Sequence, residues 1–164
     1  MQQRISEKGF FLERFSQIEA ATVADAPAIR ALIRSAYALY VPRIGREPAP
    51  MQADMLALIA RGGVYVLRAG GKLSGSVRLT AKGDALELND LVVDPAAQGR
   101  GFGRLLMSFA EETARKRGFG ALTLYTNEKM VENIALYSRL GFEETERRKE
   151  NGFDRVYFRK QIVG

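Results

Sequence analysis

The spacing of apolar residues along the chain predicts four helices and seven strands. Recurrence every three or four positions indicates a helix. The predicted helices follow Thr22, cover 51–60, carry Leu105 to Ala114, and cover 131–140. Runs of strand length are predicted as strands near 15–20 and over 64–69, 75–80, 85–93, 121–126, 142–149 and 155–162. The order β-α-α-β-β-β-α-β-α-β-β predicts an α+β fold around one mixed sheet.

Length and composition limit the kinds of protein and of site that this chain can form. At 164 residues it is long enough for one well-buried domain and short for two. Its 46% hydrophobic and 27% charged residues are typical of a globular protein. It has no cysteine and no histidine, which excludes thiolate metal sites and removes the commonest general base. Catalysis would therefore use carboxylates, tyrosines, hydroxyls, lysines or backbone groups, and we expect no metal.

The net charge of +6 and the isoelectric point near 9.8 favour an acidic partner, such as nucleic acid, a membrane surface or a phosphorylated small molecule. The most basic segment, 146–160, interleaves Glu146, Glu150 and Asp154 with its arginines, which is typical of a solvated strand pair. Because the chain has no basic helix with interleaved aromatics, we do not expect it to bind nucleic acid. No apolar run approaches the roughly 18 residues of a membrane span. The N-terminus lacks the apolar core of a signal peptide, so we expect a cytoplasmic protein without a membrane partner.

Residues 98–104, which read QGRGFGR, lie between a predicted strand and the longest predicted helix. Unpaired backbone N–H groups and the positive end of the helix dipole meet at such a position, which makes the segment a candidate phosphate cradle. A dinucleotide-binding G-x-G-x-x-G pattern would need glycine at 104 or 106, where Arg104 and Leu106 stand. A Walker A loop would need Gly-Lys-Ser/Thr, which does not occur. The segment therefore belongs to neither of these two phosphate loops.

The pattern Gln98-x-x-Gly101-x-Gly103, which follows LVVDP, resembles motif A of the GNAT superfamily, the acetyl-CoA-dependent N-acetyltransferases. A second stretch, ENIALYSRLGF at 132–142, resembles the other signature of the superfamily and follows at the expected distance. The likeness covers about residues 18–160. Two motifs in this order carry more weight than a glycine loop by itself.

The resemblance implies a fold and a domain organisation. A variable N-terminal extension over 1–15 would precede a single GNAT-like acetyltransferase domain over 16–164. The domain would have a GNAT-type mixed, mostly antiparallel central sheet of about seven strands with four helices. The sheet would be splayed between its fourth and fifth strands. Dimers through the last strands are common among similar proteins, so a homodimer is an open expectation.

The resemblance also implies how acetyl-CoA, the expected co-substrate, would bind. Backbone amides from about Gly99 through Arg104 would hold its pyrophosphate, and Arg100 and Arg104 would either add positive charge or face solvent. The pantetheine arm would lie along the preceding strand, held by main-chain groups near Leu91 and Val93. The implied cofactor-binding residues are Leu91, Val92, Val93, Gln98, Gly99, Arg100, Gly101, Phe102, Gly103, Arg104, Asn133, Ala135 and Tyr137.

Tyr137 would face the sulfur, and its chemistry suits a proton donor. An alkylammonium with a pKa of about 10.4 must lose its proton before it attacks a thioester, at a cost of about 4–5 kcal/mol at pH 7. The leaving thiolate needs a proton, and a tyrosine with a pKa of about 10 is protonated at pH 7. Tyr137 is therefore the candidate general acid. The alternative is an aromatic of the pocket wall, because Ile134 and Leu140 share its region.

The general base is less defined by the sequence. Members of the superfamily often carry a glutamate on the strand before the glycine loop, and here the position four before Val93 is Asn89, which cannot take a proton. Strand alternation places Glu87 on the same face, and it places Asp90 on the other face unless a bulge intervenes. Either carboxylate would act through water, and either is otherwise a solvated or capping group. We rank Glu87 ahead of Asp90, so the candidate catalytic residues are Tyr137, Glu87 and Asn89.

Acceptor recognition in the superfamily comes from the first two helices, their connection and the late strands. The candidates here are Tyr37, Tyr40, Arg43, Arg46, Glu47 and Tyr125, and the alternative for Tyr37 and Tyr40 is packing at the edge of the core. The implied function is transfer of an acetyl group from acetyl-CoA to a primary amine of a small molecule or peptide by direct attack. The alternative is a non-catalytic domain that binds acyl-CoA as a sensor or regulator, which Asn89 in place of a glutamate favours.

Overall fold

The computed structural model, which describes residues 14–163, contains the seven strands predicted and four helices of about two turns or more within that range. The strands are β1 Ile18–Ala20, β2 Val64–Ala69, β3 Lys72–Lys82, β4 Ala85–Val93, β5 Ala121–Asn127, β6 Glu143–Glu150 and β7 Phe153–Gln161. The helices are α1 Ala26–Tyr37, α2 Met55–Arg61, α3 Phe102–Lys116 and α4 Val131–Arg139. The predicted α+β class and element order are confirmed.

The strands form one sheet in the order β1-β2-β3-β4-β5-β7-β6. Neighbours are antiparallel except β4 and β5, which are parallel. The pairing of β4 with β5 covers Ala85–Glu87 opposite Ala121–Thr123 and ends there. Beyond that point the two strands diverge, as the predicted splay requires, and the main chain of β4 has a strand neighbour on its β3 side alone.

Helices cover both faces of the sheet. Leu106 and Ala110 of α3 are fully buried against Leu86 and Leu122 on one face. On the other face α1 and α2 pack on the early strands, with Ile29 at the centre of that contact. Full burial of a leucine or isoleucine side chain contributes roughly 1.5–3 kcal/mol, so these two layers hold the sheet between them.

A β-bulge interrupts β4 at Asp90. Ser76 lies opposite Val92 and Arg78 lies opposite Asn89. Between these two pairs β4 therefore contains one residue more than β3. Asp90 takes up the extra residue with a left-handed backbone, φ 53°. An inserted residue reverses the side-chain alternation. Consequently Leu88 packs on the α3 face of the sheet, whereas Val92, four positions later, packs on the α1 face.

Asp25 ties the start of α1 to the sheet. Its carboxylate accepts hydrogen bonds from the Thr22 backbone amide at 2.8 Å and from Arg68 Nη2 at 2.5 Å. Arg68, on β2, also donates to Glu19 on β1 at 2.6 Å. The Thr22 amide and the Arg68 guanidinium lower the pKa of Asp25. The helix start that the sequence placed after Thr22 is thus fixed by a partly buried ionic contact.

The segment between α1 and α2 is more helical than its three prolines predict. It contains a helical turn at Val41–Ile44 and ends it at Gly45, whose φ is 85°. Arg43 Nη1 contacts both carboxylate oxygens of Glu132 on α4, at 2.7 and 2.8 Å. Arg46 stacks on the Phe153 ring with its guanidinium carbon 3.6 Å from the centroid. Through these two arginines the segment contacts α4 and the start of β7.

The N-terminal extension predicted over 1–15 falls largely on residues 1–13, which lie outside the described part of the chain. Phe15, at its end, is buried, and its ring lies 5.6 Å from that of Phe109 on α3. The packed core therefore includes Phe15. Within residues 14–163, none of the helices has the length and apolar character to cross a bilayer.

Candidate active site

An open groove of about 750 Å³ lies where β4 and β5 diverge, between the glycine loop and α4. Its walls are the end of β4, the loop with the first turns of α3, and one side of α4. The lining residues are Leu91, Val93, Ala97, Gln98, Gly99, Gly101, Phe102, Gly103, Arg104, Met107, Leu136, Tyr137, Arg139 and Leu140.

Two of the three glycines in residues 98–104 have backbone conformations that favour glycine. Gly99 and Gly101 have φ values of 84° and 80°, a left-handed conformation that side chains rarely adopt. A Cβ at Gly103 would make an ordinary van der Waals contact with the Val93 side chain at 3.9 Å, so the space around this position would admit a small side chain. Gly101 is the N-cap of α3 and offers no side chain to the first-turn amides. The helix therefore presents its N–H groups and positive dipole end to the groove, as an anion site requires.

The two arginines of the loop differ in placement. Arg104 is exposed and lines the groove. Arg100 stacks on the Phe102 ring, with its guanidinium carbon 4.7 Å from the centroid, and is outside the groove lining. Gln98 lines the groove, and the turn before it is held by Asp94, whose carboxylate accepts a hydrogen bond from the Ala96 amide at 2.9 Å. Arg104 is thus the loop cation best placed for a phosphate.

A second, smaller cavity of about 160 Å³ lies beneath the end of α1 and the segment that joins it to α2. It lies where β4 and β5 end and β7 begins, and α4 closes one side. The lining residues are Tyr37, Ile44, Pro48, Ala49, Pro50, Leu88, Asn89, Asp90, Leu91, Leu124, Tyr125, Thr126, Asn127, Met130, Asn133, Leu136, Tyr137, Phe153 and Arg155.

Tyr137 lies at the junction of the groove and the cavity. It lines both, together with Leu91 and Leu136. Its ring packs between Phe142 and Phe158, at centroid distances of 5.9 and 5.8 Å. Burial raises the pKa of Tyr137 to about 12, so its hydroxyl keeps its proton at neutral pH. The groove and the cavity therefore adjoin at one protonated hydroxyl, an arrangement that has room for two ligands to meet there.

The acetyltransferase (GNAT) family model matches residues 27–142 of the chain. The chain belongs to the GNAT family. YjgM, an uncharacterized N-acetyltransferase of Escherichia coli, is 30% identical to this GNAT chain over 131 residues. The matched residues cover 74% of this chain and 78% of YjgM. Streptothricin acetyltransferase of Streptomyces lavendulae is 38% identical over 92 residues, 55% of this chain and 46% of that protein.

Other curated relatives are matched over a smaller share of their length. MJ1207 of Methanocaldococcus jannaschii, an uncharacterized N-acetyltransferase, is 35% identical over 91 residues, which span 51% of this chain and 40% of MJ1207. The chain spans 16% of the mycothiol acetyltransferase of Nocardia farcinica and 22% of that of Rhodococcus erythropolis. These matches identify the GNAT domain that the proteins share.

Solved structures share the fold of this GNAT chain at low identity. The ribosomal-protein-S18-alanine N-acetyltransferase of Escherichia coli superposes with a TM-score of 0.70 at 23% identity, covering 90% of this chain and 94% of that one. The PaiA N-acetyltransferase of Thermoplasma acidophilum, in complex with coenzyme A, superposes with a TM-score of 0.72 at 17% identity, covering 88% of this chain and 97% of that one. The acetyltransferase YncA from Salmonella typhimurium, with acetyl-CoA, gives 0.66 at 22%, covering 90% and 94%. GNAT neighbours of this fold thus bind CoA or acetyl-CoA.

The β4 bulge changes which carboxylate of this GNAT domain reaches the cavity. Asp90 lines it, with Oδ2 3.2 Å from Arg78 Nε, and burial raises the pKa of Asp90 against the opposing effect of Arg78. Glu87 is outside the cavity lining and lies 3.2 Å from Lys82 Nζ. The ranking of Glu87 ahead of Asp90 assumed an unbroken alternation along β4, and the bulge breaks it. Asn89 does line the cavity and is buried, with its Nδ2 donating to the Glu87 carbonyl at 3.5 Å.

The candidates for acceptor recognition also divide into residues that line the cavity and residues that do not. Tyr37 and Tyr125 line the cavity, and burial raises the pKa of both hydroxyls. Tyr40 packs beside Tyr37 at 6.3 Å and is outside the lining, as is Arg43, which is held by Glu132. The remaining two candidates, Arg46 and Glu47, are exposed and are also outside the lining.

Besides Arg100, three of the implied cofactor residues lie away from the groove lining. Asn133 lines the inner cavity instead, where its Nδ2 donates to Thr126 Oγ1 at 3.5 Å. Ala135 is exposed on α4 and lines neither space. The Val92 side chain packs in the core on the α1 face because of the bulge.

Arg155 is the cavity residue that sequence reasoning missed. It is buried on β7, and its guanidinium carbon lies 4.3 Å from the centre of the Tyr125 ring. A signal exists in the sequence, because strand alternation puts Arg155 on one face with the aromatic side chains of Phe153 and Tyr157. What the sequence does not give is the pairing of Arg155 with Asn127, which brings β7 beside Tyr125.

Proposed function

We propose that this protein transfers the acetyl group of acetyl-CoA to a primary amine of a small molecule or peptide by direct attack. The observation that carries the proposal is the junction at Tyr137, where the open groove meets the smaller cavity; we assign the groove to the donor and the cavity to the acceptor. When bound, acetyl-CoA supplies a thioester whose C–S bond breaks as the amine nitrogen forms the new C–N bond. The amine nitrogen loses a proton in this step, and the departing sulfur gains one.

The residues of the groove fit a CoA pyrophosphate. The N–H groups at the start of α3 face a space with no acidic side chain in the first helical turn, and Arg104 adds a cation. The unpaired side of β4 beyond Glu87 offers main-chain groups to an extended amide-bearing arm, in the manner of an added strand. The donor would therefore enter along β4, with its reactive end toward Tyr137.

Tyr137 is the proposed proton donor to the CoA sulfur. Its hydroxyl is protonated throughout the neutral range, so a proton is present when the thiolate forms; burial raises the pKa to about 12 and makes the hydroxyl a weaker acid than that of a free tyrosine. Phe142 and Phe158 contact its ring from two sides and so fix the position of the hydroxyl. These ring contacts leave the hydroxyl proton available for donation. The donor is thus oriented by packing alone.

Asp90 is the proposed acceptor of the amine proton, directly or through water. It lines the cavity where the amine would lie, and Arg78 contacts Oδ2 and holds the carboxylate in place. Its raised pKa makes it a better base than a solvent-exposed aspartate. A left-handed backbone at a non-glycine residue is uncommon and recurs at functional sites, which agrees with this role.

A second function, binding of acyl-CoA without turnover, is favoured by Asn89, which occupies the strand position where related enzymes often carry a glutamate. Two measurements separate the two functions. Calorimetry with acetyl-CoA measures donor binding, and release of free thiol across a panel of amines measures turnover. The protein has no cysteine, so a thiol reagent reports CoA alone. Binding with amine-dependent thiol release supports the transferase, and binding without release for every amine supports the sensor.

A further inference from the structure

Arg155 is a buried cation in the wall of the acceptor cavity. Its exposed fraction is 7%, and two aromatic rings, Tyr125 and Phe153, lie 4.3 and 5.8 Å from its guanidinium carbon. Burying a guanidinium costs free energy unless its donors find acceptors. The five N–H donors of the Arg155 guanidinium therefore need hydrogen-bond acceptors, either from the protein or from a ligand in the cavity.

The protein supplies Arg155 with one shared carboxylate. Its Nη1 lies 3.3 Å from Glu150 Oε2, and Glu150 is 41% exposed at the rim. The same oxygen accepts hydrogen bonds from the Tyr157 hydroxyl and from Arg148 Nη2, the latter at 3.4 Å. Glu150 thus offsets only part of the cost of burying the Arg155 charge, because it contacts one of the two terminal nitrogens of the guanidinium.

The charges of the cavity lining form a pair. Asp90 and Arg155 are the two charged side chains among its lining residues. Asp90 lies at the β4 end, bound by Arg78, and Arg155 lies on β7, across β5 in the sheet order. A molecule that carries an ammonium group and a carboxylate would match both ends of this arrangement.

We propose that the acceptor amine carries a carboxylate, that Arg155 binds this carboxylate, and that the acceptor is a free amino acid or an amine of similar size and charge. The proposal rests on the proposed function, since it names the acceptor of the same reaction. The planar guanidinium fork matches a carboxylate in a two-contact geometry. A phosphate is the weaker match because Arg155 is the one cation among the residues of 14–163 that line the cavity, and the cavity of about 160 Å³ favours a small molecule.

The test compares acceptors that share a side chain and an α-amine and differ in the carboxyl group. Each common amino acid is paired with its carboxamide, and kcat/KM is measured by thiol release and expressed per unprotonated amine, because loss of the carboxylate lowers the pKa of the neighbouring amine. We expect the best amino acid to exceed its carboxamide by about tenfold to a hundredfold, the range for a hydrogen-bonded ionic contact. Calorimetry of the same pairs, and of the N-acetylated products, reads binding without turnover and should show the same preference.

Two variants assign the preference to Arg155. Arg155→Gln should lower kcat/KM for the amino acid about tenfold or more and leave that for the carboxamide nearly unchanged. Arg155→Lys keeps the charge without the fork and should restore part of the preference. Arg148→Gln is the matched control, because Arg148 contacts the same Glu150 from outside the cavity lining and should leave the preference intact. Unchanged acetyl-CoA affinity in each variant verifies the fold.

Several outcomes would overturn the inference. Equal kcat/KM for amino acids and their carboxamides would do so, as would an equal loss for both in Arg155→Gln, or failure of every amino acid and N-acetyl amino acid to bind. Failure of the proposed function is a different result, namely no thiol release with any amine. In that case, binding of amino acids in preference to their carboxamides, lost in Arg155→Gln, would still support the carboxylate site.

Discussion

Replacing Tyr137 with phenylalanine removes the proposed proton donor and little else. The ring contacts with Phe142 and Phe158 at 5.9 and 5.8 Å remain, so the core around α4 is preserved. With its pKa raised to about 12 by burial, Tyr137 keeps its proton at pH 7. General acid catalysis contributes about 10²–10⁴-fold. We therefore expect kcat to fall by that factor, which corresponds to roughly 3–5 kcal/mol of transition-state stabilisation.

The assay is thiol release at saturating acetyl-CoA and amine, combined with calorimetric acetyl-CoA affinity and the midpoint of thermal unfolding. Affinity and midpoint should stay near the wild-type values, since the hydroxyl acts on the departing sulfur. Tyr65→Phe is the matched control, because Tyr65 packs on Phe109 away from the junction and its loss should leave kcat unchanged. A Tyr137→Phe variant with wild-type kcat would refute the proton-donor role and leave Tyr137 as a wall residue.

Three further predictions test the donor site, the base and the fold. Gly101→Val forces a β-branched side chain into a left-handed N-cap with φ 80°, so we expect acetyl-CoA affinity, measured by calorimetry, to fall about tenfold or more; unchanged affinity would contradict the cradle. Asp90 must be ionised to act as a base, so the rate should be lost as pH falls through its raised pKa, above the range of a free aspartate; Asp90→Asn should abolish this limb of the pH–rate profile, Glu87→Gln should keep it, and the reverse result would make Glu87 the base. Asp25→Asn should cost about 1–3 kcal/mol of unfolding free energy at pH 7. Because the folded pKa of Asp25 is lowered, its contribution is complete above the unfolded pKa of about 3.9 and is lost as pH falls through the folded value, so denaturant titrations of the two proteins should converge in acid.

Local patterns in the sequence led to the loop and the α4 tyrosine that line the groove. The spacing of Gln98, Gly101 and Gly103 at a helix start is a short-range feature, and it led to the loop that lines the groove. Tyr137 followed from a contiguous signature on one helix. The fold class followed from the order of strands and helices, which requires no knowledge of distant contacts.

The residues that line the inner cavity were harder to predict because their placement depends on strand register and on contacts between residues distant in sequence. The bulge at Asp90 is visible only when β4 is aligned with β3, and it decides which carboxylate reaches the cavity. Arg43 was expected to contact the acceptor, but Glu132, 89 positions away, pairs with it. Arg155 enters the cavity because β7 pairs with β5, a contact between segments about 30 residues apart. Such contacts are set by tertiary structure rather than by local periodicity.

The central claim is that an amine attacks acetyl-CoA directly at the junction marked by Tyr137. Mass spectrometry of a reaction quenched during turnover tests it most directly, with the N-acetylated amine and free CoA quantified together and the protein examined intact. The proposal predicts equal amounts of the two products and a protein of unchanged mass. Acetyl-CoA that binds but yields no N-acetylated amine, or a protein that itself carries the acetyl group during turnover, would contradict it.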